Sequence, residues 1–203
     1  APVPAIDSLA NVYQMIIVCP DAGRSSWYFD SPADTASRYE TFVSRELVAF
    51  VDSRYGTIPA REARAITGLS MGGHGAMFLA LRNTGTFGAC GSMSGVLDLA
   101  RVKKSYDLPL RLGDTVKNAS YYPAWSVINL VEKYRPVDSL AMIIDCGVSD
   151  VFYQANKATH EKMLRLKIPH DYIERDGGHN WEYWANAISY QLLFFRAWFD
   201  KNK

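Results

Sequence analysis

Short, largely apolar runs recur along this chain at 15–19, 64–69, 87–93, 140–146 and 171–175, each ending in turn residues. Runs of that length and setting read as strands, and 15–19 and 87–93 as strands buried on both faces. Between them the apolar spacing changes to helical. Ile6, Leu9 and Tyr13 share one face of a short helix over 5–13. Val43, Leu47, Phe50, Val51 and Tyr55 mark a helix over 39–55, closed by Gly56. Helices are also predicted over 71–82, 151–167 and 182–200, the last with Trp184, Ala187, Ile188, Leu192 and Phe195 on one side. Strand and helix in alternation predict an α/β fold, a mostly parallel sheet flanked by helices. Over about 97–138 the pattern weakens, with turns at Leu108-Pro109 and Leu112-Gly113-Asp114 and a helical stretch near 123–134. The expectation is one domain over 1–203 with a cap-like insertion around 97–138, since a connection this long is usually functional.

Composition narrows the function without choosing it. A net charge of +1 with scattered Lys and Arg gives no footprint for nucleic acid or an acidic membrane. No apolar run approaches the ~18 residues of a membrane span. Cys19, Cys90 and Cys146 lie in apolar contexts without a C-x-x-C, and read as buried free thiols and not as a metal site. Dinucleotide and P-loop fingerprints are absent, so no cofactor is expected.

Chemistry enters at Ile66-Thr67-Gly68-Leu69-Ser70-Met71-Gly72-Gly73-His74. Gly68-x-Ser70-x-Gly72 between a strand and a helix is the pattern of a nucleophile elbow, a strained turn that exposes a serine hydroxyl above a sheet. A serine hydroxyl needs a base. His179 follows the 171–175 strand in Asp176-Gly177-Gly178-His179, on the sheet edge where the elbow emerges. His74 would point along the helix and reads as structural, His160 as part of a solvated face, and His170 as a turn residue. The orienting acid should stand at a strand end between serine and histidine. Asp150 meets this, Asp98 is the second choice, and Asp145 would point into the sheet's packing. The order Ser70, Asp150, His179 is the serine–acid–histidine order of α/β-hydrolases. The N–H of Met71 would be one oxyanion donor. Trp27 and Tyr28, in the loop after 15–19, are either substrate contacts or loop packing, and Trp181 stands in the histidine loop.

These stretches, with Ile16-Ile17-Val18-Cys19-Pro20-Asp21, Ser25-Ser26-Trp27-Tyr28, Cys146-Gly147-Val148-Ser149-Asp150 and Gly178-His179-Asn180-Trp181, resemble the "Putative esterase" (esterase D-like) family of α/β-hydrolases. That family takes in carbohydrate and feruloyl esterases, S-formylglutathione hydrolases and antigen 85-like acyltransferases. The resemblance implies Ser70, Asp150 and His179 as the triad. It implies a small-molecule ester substrate, acetyl- or aromatic-acyl-sugar in type, and leans towards a secreted or periplasmic location. An acyltransferase, or a weakly active or non-catalytic carbohydrate-binding homologue, is the alternative. It also implies about three further strands before 15–19, one bearing the second oxyanion donor. The fourteen residues before Met15 carry no strand pattern and no His-Gly. A truncated N-terminus is therefore expected, with weak activity from this chain alone, because losing one donor costs about 10²–10³ in rate.

Overall fold

The computed structural model of the chain describes residues 6–135 and 139–202. Among the described residues, four strands form one parallel sheet in sequence order: β1 (Ala65–Leu69), β2 (Ala89–Met93), β3 (Ala141–Gly147) and β4 (Asp171–Arg175). Parallel neighbours need long crossovers. The elbow helix Met71–Arg82 lies between β1 and β2, and the helix Tyr153–Arg165 between β3 and β4. Side chains alternate across the pleat. Met142 and Ile144 join Met77, Phe78 and Met163 in one core. Ile143 joins Ala187, Ile188 and Leu192 of the C-terminal helix Trp181–Lys201 in the other.

The stretch between β2 and β3 is a packed layer. Leu97, Leu99, Leu108, Leu112, Tyr122 and Val127 are all buried in the first core. It is built of short pieces such as Leu108–Leu112 and Tyr121–Trp125, none long enough to display a helical stripe. Residues 136–138, at the end of the predicted insertion, lie outside the described residues. The predicted helix over 39–55 forms as Tyr39–Thr41, a π-helical stretch at Phe42–Glu46, and Leu47–Arg54.

One predicted strand does not form. Residues 15–19 carry no strand pairing. Met15 and Ile17 pack against the C-terminal helix core, while Ile16 is 55% and Val18 44% exposed. An apolar run records a preference for a half-buried pleat, whereas pairing depends on a neighbour that local sequence does not specify. Cys19 goes with this segment and is exposed, not buried; Cys90 and Cys146 are buried as expected.

His74 belongs to the first core. Its ring stacks on Phe78 at 5.6 Å, and its Nε2 donates to the Trp125 carbonyl at 3.1 Å. Burial pushes its pKa down to about 4. A folded value below the unfolded one means that the unfolded chain binds the extra proton. The stability is then complete above pH 6.5 and is lost as pH falls towards 4, by about 3 kcal/mol. The expected result is a urea midpoint that drops through this window, with the His74 ring still neutral and Nε2-protonated by NMR at pH 5.5. A ring that titrates near 6.5 would contradict the assignment.

Candidate active site

Ser70 sits between β1 and the elbow helix at φ 53°, ψ −116°. A non-glycine residue holds such a backbone only where its surroundings impose it, at about 1–3 kcal/mol. The surroundings here are visible. The Ser70 N–H bonds the Met93 carbonyl at 2.9 Å, and its carbonyl accepts from His74 N–H at 3.1 Å. A Cβ on Gly68 would lie 2.5 Å from the Gly72 carbonyl, so the turn closes only over glycine. The two elbow glycines are not equivalent. A Cβ on Gly72 would meet only the Tyr28 hydroxyl, at 3.5 Å. Gly73 is the second tight position, 2.7 Å from the Ser92 hydroxyl.

The strand ends bring three side chains into line. Ser70 Oγ is 2.9 Å from His179 Nε2. His179 Nδ1 is 2.9 Å from Asp150 Oδ2 and 3.1 Å from Oδ1. Asp150 is buried, and its Oδ1 also accepts the Phe152 N–H at 2.8 Å. Burial pushes the Asp150 carboxyl up; the bonds from His179 and Phe152 outweigh it and hold the group below the ordinary carboxylate range. An ionised Asp150 facing Nδ1–H leaves Nε2 unprotonated towards the serine, the tautomer a general base requires. Met71 opens the elbow helix, where first-turn N–H groups have no intrahelical acceptor and form the positive end of the helix dipole. Asp98 is not at the site: it caps Ala100 N–H and pairs with Arg101.

Of the aromatic candidates, Trp27 is in the core at 1% exposure. Its indole donates to the Tyr106 carbonyl at 3.1 Å, and its ring meets His74 edge-on. Tyr28 lies on the first turn of the elbow helix, where a Cβ on Gly75 would be 2.2 Å from its ring. Trp181 is 46% exposed and meets the buried Trp184 edge-on at 5.3 Å; Trp184 meets His179 at 4.8 Å. Two residues escaped the sequence reading. Phe152 also meets His179 edge-on, with ring centroids 5.0 Å apart, and Tyr106 meets Phe152 at 6.2 Å. Tyr106 is 59% exposed and, with Asp107, sits at φ 56°. Its stretch of sequence has no periodicity to mark it. His160 is not a plain solvated residue either: it bonds His170 at 2.8 Å and stacks on Tyr172.

The family described as "Putative esterase" has a model that matches residues 5–195. Esterase Rv1288 of Mycobacterium tuberculosis is 28% identical over 192 residues, covering 81% of this chain and 41% of that protein. The chain thus spans well under half the length of that relative. An acetyl esterase of Caldicellulosiruptor saccharolyticus is 24% identical, over 91% of this chain and 73% of that protein. Among solved structures, a ferulic acid esterase superposes with a TM-score of 0.79 at 30% identity, covering 96% of this chain and 76% of that one. Among the described residues no helix is long and apolar enough to cross a membrane.

Proposed function

Since the chain belongs to the "Putative esterase" family of α/β-hydrolase fold, we propose that it is a serine carboxylic ester hydrolase working through an acyl-enzyme on Ser70. The observation that carries this is the unbroken line Ser70 Oγ–His179 Nε2, His179 Nδ1–Asp150. In the reaction Ser70 attacks the ester carbonyl carbon while His179 takes the hydroxyl proton. Asp150 stabilises the imidazolium, and the Met71 N–H faces the developing oxyanion. His179 then protonates the leaving alcohol, and water, activated by the same base, cleaves the acyl-enzyme.

The proposed substrate is a small ester, an acetyl or aromatic acyl group on a sugar. Tyr28, Trp181 and Tyr106 are the proposed contacts: Tyr28 lies against the start of the elbow helix, Trp181 meets Trp184 beside His179, and Tyr106 meets Phe152 beside His179. Hydrolysis of p-nitrophenyl acetate tests the reaction class, and the same assay with added glucose separates hydrolysis from transfer. Acetate as the sole acyl product supports the hydrolase. Acetylated sugar as the main product at millimolar glucose would make it a transferase, with the same acyl-enzyme.

A further inference from the structure

Asp145 is a carboxylate with no exposed surface, on β3 five positions before Asp150. Three elements meet at it. Arg175, the last residue of β4, donates from Nη2 to both its oxygens at 2.9 and 2.7 Å. Tyr183 of the C-terminal helix donates its hydroxyl to Oδ1. The Arg175 guanidinium also lies over the rings of Tyr183 and Tyr190, at 4.9 and 4.4 Å.

This cluster stands at the root of the two loops that carry Asp150 and His179. The Val148 N–H bonds the Arg175 carbonyl at 2.8 Å, and the Ser149 N–H bonds the Gly177 carbonyl at 3.0 Å. The Tyr183 ring fills the angle between the loops. A Cβ on Gly177 would come within 2.3 Å of it, and one on Gly147 within 3.2 Å. Gly177 has φ 135°, a backbone that itself calls for glycine. A buried ion pair of this kind recovers its desolvation cost only with complete hydrogen bonding, so it adds little stability over an apolar replacement. What it supplies is direction: each bond joins elements whose relative shift would move Asp150 against His179.

We propose that Asp145, Arg175 and Tyr183 form a positioning network that fixes the register of the Asp150 loop against the His179 loop, and with it the Asp150–His179 hydrogen bond. This rests on the triad reading above. Asp150 is a charged group bonded to the His179 ring, and the ring's other neighbours among the described residues, Ser70, Phe152 and Trp184, are uncharged. Loosening the register therefore weakens support for the imidazolium and lowers the basicity of His179.

The test is Tyr183→Phe, which keeps the ring and changes no charge at neutral pH. The expected result with p-nitrophenyl acetate is a kcat about tenfold lower at nearly constant KM, since small misplacement of a reacting group is costly. The acid limb of the kcat/KM profile should move to lower pH by roughly 0.5 unit or more, as follows from a weakened ion pair. Arg175→Lys should shift both in the same direction, and Tyr190→Phe should change neither. An unshifted acid limb in both Tyr183→Phe and Arg175→Lys overturns the proposal, whatever happens to kcat. Failure of the triad reading looks different: Asp150→Asn would then keep its activity, and no register at this place would matter.

Discussion

Replacing Ser70 with alanine is expected to lower ester hydrolysis roughly 10⁴-fold or more, relative to the unaltered chain, while leaving the fold intact. The two halves of this expectation have separate causes. The strained backbone at φ 53° is imposed by the Met93 and His74 bonds and by the close approach of Gly68 to Gly72. Alanine keeps the same backbone and the same Cβ, so this strain and its compensation carry over. The substitution removes one hydroxyl and its 2.9 Å bond to His179. A half-exposed hydrogen bond of that kind contributes about 1 kcal/mol or less. Initial rates and urea unfolding measured on the same preparation separate the two effects. A Ser70→Ala chain that hydrolyses ester at the unaltered rate would remove the serine from the chemistry.

Asp150→Asn is expected to cost about 10³–10⁴ in kcat with little change in KM. The geometry says why an isosteric change does so much. Asp150 Oδ1 accepts the Phe152 N–H at 2.8 Å, and an asparagine would keep its carbonyl there. Its amide nitrogen would then occupy the position of Oδ2, 2.9 Å from His179 Nδ1. That nitrogen donates, so Nδ1 must accept and the ring proton moves to Nε2. An Nε2–H facing Ser70 cannot take the serine's proton. Asp150 is buried behind the imidazole, which is why KM should hold. Steady-state kinetics on p-nitrophenyl acetate checks the split; a rise in KM at constant kcat would make Asp150 a binding residue.

Much of this was legible because it is local. The elbow glycines, the apolar run before them and the small residues after them specify strand, turn and helix within a dozen positions. Asp150 and His179 were reachable from chain order and strand ends. Other features depend on partners far along the chain. Trp27 looks like a site residue because it stands in a loop after an apolar run, yet its indole finds a carbonyl 79 residues away and the ring is buried. The 15–19 run has the composition of a buried strand but carries no strand pairing. Asp145 illustrates the same limit from the other side. Its direction into the packing follows from the strand pattern, but its partners are 30 and 38 residues away. A fully buried carboxylate is read from such partners and not from its neighbours in sequence. Tyr106 carries no periodic signal because the short helical turns around it are too brief to show one.

Whether Ser70 is the nucleophile is decided by an irreversible acyl-mimic. A fluorophosphonate phosphonylates a serine hydroxyl activated by an adjacent base and leaves unactivated serines alone. After treatment, peptide mass spectrometry should find one phosphonyl group per chain, on Ser70, with esterase activity lost in proportion to labelling. Asp150→Asn should label far more slowly than the unaltered chain. Activity that survives full labelling of Ser70, or loss of activity with the label on another residue, would mean that Ser70 is not the nucleophile.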